Sequence, residues 1–144
     1  MGPNDRERTI YSCRDLRVWH AGMDLVEHVY RMTQSFPGHE IYGLTSQMRR
    51  AAVSIPSNIA EGRTREHVNE YLRHLSIVQG SRAELQTQIE IAGRLGYCSA
   101  EEADQALRQS AAVAMQLYNL RSALLKRRSS STPEPLSDPD ARNP

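Results

Sequence analysis

Residues 43–62, GLTSQMRRAAVSIPSNIAEG, constrain the fold more than any other part of the chain. Their apolar side chains recur at helical spacing and fall within about 100° of arc; they are Leu44, Met48, Ala51, Ala52, Ile55 and Ile59. This register continues across Pro56, which removes a backbone donor and crowds the carbonyl of Ala52 at a cost of about 3 kcal/mol. We therefore predict one amphipathic helix that runs through Pro56 and is held by tight packing or by an assembly.

Three further helices are predicted from the same spacing. The first runs from about Arg14 to Ser35, where the sequence Pro37-Gly38 follows, and Ser12 with Asp15 resembles a capping box at its start. Short connections between helices of similar length favour an all-α, antiparallel up-down-up-down four-helix bundle.

The third and fourth helices have clearer end signals. The third covers about 66–95 and ends at Gly96, a residue suited to a left-handed cap. Gly80 within it, next to Ser81, is interpreted as a point of close helix approach, because no strand or glycine pattern typical of a phosphate loop surrounds it. The fourth begins with a capping box, Ser99 to Glu102, and ends near residue 128.

Length and composition place the chain among small intracellular proteins. The 144 residues suit one domain: we predict a flexible arm over 1–11, the bundle over 12–128 and a disordered tail over 129–144, which contains four prolines. No apolar run reaches the length of a membrane span, the N-terminus lacks a secretory signal, and two cysteines are too few for a disulfide framework. We expect a cytoplasmic location and no membrane association.

Helix 1 carries more apolar surface than the outer helix of a monomeric bundle needs. Two rows combine into an arc of about 200°, against about 100–140° for such a helix. One row is Leu16, Trp19, Met23, Val26 and Tyr30; the other is Val18, Gly22, Leu25, Val29, Met32 and Phe36. The excess predicts self-association, unless the helix is simply central in its own fold. Interface or structural candidates are Val18, Leu25, Val29 and Met32.

A polar row runs beside the apolar face of helix 2. Serine and asparagine are unfavourable in the middle of a helix unless their side chains find partners. We interpret the row as hydrogen bonding to helix 3 or to a neighbouring subunit, with a solvated face as the alternative. Its candidate residues are Arg50, Ser54, Asn58 and Glu61, together with Gln47 and Ser57.

The distribution of charge is more informative than the net charge of +1. Antiparallel helices place eight basic residues at one end of the bundle, Arg14, Arg17, Arg63, Arg65, Arg121, Lys126, Arg127 and Arg128, against Asp15, Glu61 and Glu66. The opposite end carries Glu40, Glu90, Glu101, Glu102 and Asp104, against Arg94 and Arg108. The eight basic residues are candidates for binding nucleic-acid phosphates. The helix dipole, which favours bases at helix C-termini, is the competing explanation.

Enzyme chemistry has little support in the sequence. No Glu-x-x-His pair of the kind that builds di-metal sites in bundles is present, and nothing orders Ser, His and Asp into a nucleophile constellation. His67, Glu70 and His74 share one helix side, which leaves a metal-dependent enzyme as a remote alternative. We predict no catalytic residues, no metal and no cofactor.

The chain resembles a known family at several segments. They are DLRVW at 15–19, SFPGHEIYGLTSQMRRAAVSIPSNIAEG at 35–62, EYLRHLSIVQGSRAELQTQIEIAGRLGY at 70–97 and the leucine-rich last helix. They are similar to four-helix-bundle proteins encoded in intervening sequences of bacterial large-subunit ribosomal RNA genes, whose relatives include accessory variability determinants of diversity-generating retroelements. The sequence departs from the family at His67, where a Ser or Thr cap is common, and at Val78, where Ala is usual.

The resemblance implies a homopentameric ring of four-helix protomers without established enzymatic activity. By the same resemblance, the retroelement relatives act as basic adaptors for nucleic acid and a reverse transcriptase. Our leading hypothesis is an oligomeric, non-enzymatic adaptor that binds RNA or DNA through a basic ring face. A purely structural or protein-binding assembly is the second.

Overall fold

The computed structural model describes residues 4–130, with side chains described for residues 14–129. These residues form four α-helices: α1 (Asn4–Thr33), α2 (Leu44–Arg63), α3 (Val68–Arg94) and α4 (Ala100–Ser130). A single 3-10 turn, Gly38–Glu40, lies between α1 and α2. Within the described range there is no β-strand, so the all-α prediction is confirmed.

Each helix packs against two neighbours, in the order α1–α2–α3–α4 and back to α1. Connections of a few residues join consecutive helices, which makes neighbours in the sequence antiparallel. The core is continuous and draws on all four helices, with Leu25, Ile55, Leu75 and Leu117 each at most 1% exposed. Of the described helices, none is both long and apolar enough to cross a membrane.

The prediction for α2 is confirmed: the helix is continuous through Pro56. The proline ring is buried, and α1 approaches it at Gly22. A Cβ at Gly22 would lie 3.2 Å from Ile55 Cγ2 and 3.5 Å from Pro56 Cδ. Pro56 therefore sits where the two helices pack closely, and this packing offsets its missing hydrogen bond.

Two predicted helix ends are confirmed at atomic detail. Glu102 donates its backbone N–H to Ser99 Oγ over 3.1 Å, and the Glu102 carboxylate accepts from the Ser99 backbone N–H over 3.4 Å. Gly96 has φ +74° and lets the Tyr97 N–H reach the Ala92 carbonyl at 2.9 Å. Both motifs satisfy backbone groups that a helix end leaves unpaired.

Other expectations from the sequence need correction. α1 begins at Asn4, not at Arg14, so Ser12 and Asp15 lie within the helix and form no capping box. Gly80 is not a point of close helix approach, since nothing lies within 4 Å of a Cβ placed there.

The predicted ends of the bundle are only partly covered by the described residues. α4 continues to Ser130, and the rest of the predicted tail, 131–144, lies outside the described residues. The flexibility predicted for 1–11 stays a prediction.

Candidate nucleic-acid interface

Contacts between helices place most of the predicted basic residues at one end of the bundle. Arg63, at the end of α2, forms an ion pair with Asp15 of α1 at 3.5 Å between Nε and Oδ2. Arg128, near the end of α4, donates to Asn69 at the start of α3 over 3.3 Å. The end of α2, the start of α3 and the end of α4 therefore surround the same part of α1, which we call the basic end.

The eight candidates differ in how firmly they are held. Arg63 and Arg128 make the contacts just described, and Arg65 donates to Glu61 over 2.8 Å. Arg121 lies away from the basic end, contrary to the prediction, because it donates to Gln79 in the middle of α3 over 3.1 Å. Arg127 also interacts within the protein. No hydrogen bond or ion pair within the described residues engages Arg14, Arg17 and Lys126, which are all exposed. These last three cations are the best placed to bind an external phosphate.

A buried carboxyl group lies beneath this end. Asp15 is 3% exposed, and burial raises its pKa, although the Tyr71 hydroxyl and Arg63 act in the opposite direction. Burial also raises the pKa of Tyr71, and the negative charge of Asp15 adds to that shift. The Tyr71 hydroxyl interacts with Asp15 outside standard hydrogen-bond geometry. Asp15 thus fixes Arg63 in place from inside the bundle.

From the sequence, Asp15 was expected to take part in a capping box with Ser12 and to oppose the charge of the arginines. A usable signal existed, because Asp15 precedes Val18 by three residues and Gly22 by seven. That spacing places a carboxyl group on the core face of α1.

Two residues of the predicted polar row of α2, Ser54 and Asn58, form hydrogen bonds to α3, whereas Gln47, Arg50 and Ser57 are exposed. Ser54 Oγ lies 2.9 Å from Ser81 Oγ, and Asn58 Nδ2 donates to Ser54. Asn58 Oδ1 lies 3.2 Å from Nδ1 of His74, whose side chain is nearly fully buried. Arg65 Nε donates to His74 Nε2 over 3.3 Å, so Nδ1 carries the proton and donates to Asn58. The row therefore runs from Ser81 in the middle of α3 to Arg65 at the basic end.

This row also bears on the metal alternative. Both ring nitrogens of His74 are used within the protein, while His67 and Glu70 are exposed. The described residues contain no group of three or more His, Cys, Asp or Glu side chains that could hold a metal ion. The geometry does not arrange His67, Glu70 and His74 as a set of metal ligands.

A second surface feature, which sequence reasoning missed, is a cleft of about 570 Å³ between α1 and α2. Arg49 lines it, with the guanidinium carbon 4.6 Å from the centroid of the Tyr30 ring and Nε donating to Thr33 Oγ1 over 2.9 Å. The predicted candidate Arg50 also lines the cleft, as do Val53 and Ile41. We call this feature the α1–α2 cleft.

The two apolar rows of α1 have different environments. The interface or structural candidates Val18, Leu25, Val29 and Met32 are all buried in the protomer's own core, where they stabilise the bundle. In the other row, Leu16, Met23 and Tyr30 are between 37% and 45% exposed, while Trp19 and Val26 are partly buried against the core. The apolar surface that α1 offers to a partner is therefore Leu16, Met23 and Tyr30, of which Tyr30 lines the α1–α2 cleft.

The acidic residues at the opposite end have local roles in capping. Glu40 Oε2 accepts the Leu44 N–H at the start of α2 over 2.7 Å, and Glu102 caps α4. The helix dipole and capping therefore explain at least these two residues.

The fold and the surface define a four-helix-bundle protein with a basic end and an open cleft. Residues 14–119 match the 23S rRNA-intervening sequence protein family, which covers most of the chain. The chain belongs to this family. No curated protein matches the chain.

One solved structure with the same fold is a protein of unknown function from the S23 ribosomal protein family of Bacteroides thetaiotaomicron. It matches with a TM-score of 0.70 and 16% sequence identity, over 76% of this chain and 98% of that one. At that level of identity the similarity concerns the fold alone.

Proposed function

We propose that this protein is a non-enzymatic, self-associating scaffold whose basic end binds the phosphate backbone of RNA or DNA. The observation that carries the proposal is the exposure, at one end, of Arg14, Arg17 and Lys126 without a partner among the described residues. Cations that are not neutralised by the protein can release counterions from a nucleic acid on binding.

The helix dipole accounts for only part of this arrangement. Its effect falls off within the last turn of a helix, which covers Arg63 and the end of α4. Arg14 and Arg17 lie in the interior of α1, which begins at Asn4. Their position at the basic end therefore has no explanation in the dipole and supports a binding surface.

Self-association is supported by the accessible apolar row of α1. Leu16, Met23 and Tyr30 lie along one line of the helix, and Val53 of α2 continues the apolar surface across the cleft. A cyclic ring would place every basic end on the same face and multiply its charge. A pentamer and a reverse-transcriptase partner belong to the proposal through resemblance to the family and its retroelement relatives.

The same apolar face favours the second candidate function, a structural or protein-binding assembly without nucleic acid. Salt dependence distinguishes the two. Fluorescence anisotropy with labelled single-stranded RNA, duplex RNA and duplex DNA should show affinity falling steeply as salt rises. Absence of binding to all three at low salt would support the protein-only assembly.

A triple substitution identifies the surface. Changing Arg14, Arg17 and Lys126 to Ser should weaken binding by about tenfold or more, and should reduce the salt slope by roughly 0.9 for each phosphate that the variant no longer neutralises. Changing Arg31, Arg94 and Arg108 to Ser removes the same charge at the opposite end and is the matched control. Equally weakened binding in both triple variants would show that net charge, not the basic end, causes binding.

A further inference from the structure

The α1–α2 cleft holds two arginines without a carboxylate partner among the described residues. Arg49 is fixed by Tyr30 and Thr33, and the Thr33 hydroxyl is itself held because it donates to the Val29 carbonyl over 2.7 Å. Arg50 is exposed beside it. A fixed guanidinium with open donors is suited to a carboxylate, because it loses little side-chain freedom on binding one.

A matching surface lies on α3. Ile77, Glu84 and Ile91 are spaced seven residues apart, so they form one line in which neighbours are about 10.5 Å apart. All three are exposed, and the two isoleucines are 45% and 42% accessible. We call this line the α3 stripe. It borders α2, because Ser81, which contacts Ser54, lies three residues before Glu84 and four after Ile77.

The cleft and the α3 stripe lie at the same height along the bundle. Ser54 and Ser81 are in contact, and α2 and α3 are antiparallel. Arg50 is four residues before Ser54, and Glu84 is three residues after Ser81, so both lie about 5 Å further in the same direction. In a ring with cyclic symmetry, the subunits are related by rotation about the ring axis, with no shift along it. If the bundles stand parallel to that axis, two residues that pair across subunits must therefore lie at the same height.

The apolar ends of the α3 stripe have apolar counterparts on the same sides of the charged residues. Ile77 lies on the basic-end side of Glu84, and Val53, which lines the cleft and is 39% exposed, lies on the basic-end side of Arg50. Ile91 lies near the level of Ile41, which lines the other end of the cleft and is 56% exposed. The cleft therefore presents apolar, basic and apolar groups in the order in which the α3 stripe presents apolar, acidic and apolar ones.

We infer that the occupant of the α1–α2 cleft is the α3 stripe of a second copy of this chain, with the Glu84 carboxylate bound between Arg49 and Arg50. The inference rests on the proposed self-association and names the two surfaces that carry it. The α1–α2 cleft and the α3 stripe lie on adjacent sides of the bundle, and these two sides face directions about 90° apart. A head-to-tail contact between such sides closes after about four or five copies, with α2 at the ring axis and all basic ends on one face.

Charge reversal tests this pairing. Sedimentation velocity of the full chain should show a closed oligomer for the wild type. Arg50→Glu alone and Glu84→Arg alone should each raise the concentration of half-dissociation by about tenfold or more. The double variant should return to within about threefold of the wild type, because the pair is restored with its charges exchanged. An equimolar mixture of the two single variants should also associate more strongly than either alone, because contacts between unlike variants pair opposite charges; every contact of a ring is restored only if the number of copies is even.

Two further variants serve as controls. Arg108→Glu on α4 and Glu90→Arg on α3 make the same charge changes at exposed positions outside both surfaces, and should leave the oligomer unchanged. Thermal unfolding followed by circular dichroism checks that each variant is folded.

Each outcome separates this inference from the proposed function. A monomeric wild type overturns both self-association and the pairing, whereas a two-fold dimer overturns the head-to-tail pairing. A larger oligomer that neither single variant weakens, or that the double variant fails to restore, overturns the pairing alone. Nucleic-acid binding is measured separately through Arg14, Arg17 and Lys126.

Discussion

Asp15 shows how one buried residue can organise a surface. Its carboxyl group is buried beneath the basic end and is paired with Arg63, whose side chain is about half exposed. Burial is the largest influence on the Asp15 pKa and raises it, so the native state binds the proton more tightly than the unfolded chain does. Burying the charged Asp15 carboxylate therefore costs stability, and the ion pair with Arg63 offsets part of that cost.

The sign of this shift gives a pH prediction. The protonated Asp15 carboxyl stabilises the native state. This stabilisation is fully present below the ordinary pKa of 3.8 and is lost as pH rises through the raised native pKa. Asp15→Asn removes this titration. The free energy of unfolding of the variant, relative to that of the wild type, should therefore rise between about pH 4 and about pH 7. Urea unfolding at both pH values measures the difference.

The Arg63→Gln variant provides an internal check. It removes the positive charge that lowers the Asp15 pKa, so the pKa should rise further. The free energy of unfolding should then fall more over the same pH range. A free energy of unfolding of Asp15→Asn that, relative to the wild type, stays constant or falls with rising pH would contradict this account of Asp15.

Between elements, glycine decides how closely two helices approach. Gly62 of α2 is buried against α3, and a Cβ there would lie 2.8 Å from His74 Cβ and 3.3 Å from Tyr71 Cδ1. The backbone of α2 therefore approaches α3 at the point where the hydrogen-bonded row and Asp15 both contact α3. A change at Gly62 would disturb both.

We expect Gly62→Ala to destabilise the protein by roughly 1–3 kcal/mol, because the added methyl group meets a Cβ that cannot move without the α3 backbone. Gly80→Ala is the matched control on α3. Nothing lies near its added methyl group, and it should stabilise the helix by roughly 0.5–1 kcal/mol. Denaturant unfolding measures both values, and equal effects of the two substitutions would argue against the α2–α3 contact.

At the scale of the whole molecule, the protomer carries exposed apolar residues on three of its sides. They include Met23 on α1, Ile77 on α3 and Tyr118 on α4. Surfaces of this kind mark interaction sites when they are contiguous, and Tyr30, Ile41 and Val53 line the same α1–α2 cleft. Association through the cleft would bury part of this area and link folding to assembly.

This linkage predicts that the thermal midpoint depends on protein concentration. If the folded chain associates and the unfolded chain does not, a hundredfold excess over the dissociation constant adds about 2.7 kcal/mol of stability. For a bundle of this size the midpoint should rise by roughly 5–15 °C. Scanning calorimetry over a hundredfold concentration range measures it, and a constant midpoint would contradict self-association.

Much of the fold could be predicted because its determinants are local in sequence. The helical spacing of Leu44, Met48, Ile55 and Ile59 predicted α2 through Pro56, and the Ser99–Glu102 capping box fixed the start of α4. Interactions over three or four residues carry these signals, so they can be read without knowing the partner helices.

The start of α1 was misplaced for a related reason. Ser12 and Asp15 have the spacing of a capping box, but the same residue types also occur within helices. Asp15 instead pairs with Arg63, 48 positions further along the chain. No local pattern specifies such a contact.

The sequence by itself determined four amphipathic helices, their order and the clustering of basic residues at one end, because helix periodicity and antiparallel connection require only neighbouring residues. Only the tertiary structure decided which apolar row of α1 is core and which is surface, and which arginines are held by partners. Both depend on the side from which α2 and α4 approach α1. That choice is made by packing between residues far apart in the chain, as Gly22 against Pro56 and Arg49 against Tyr30 illustrate.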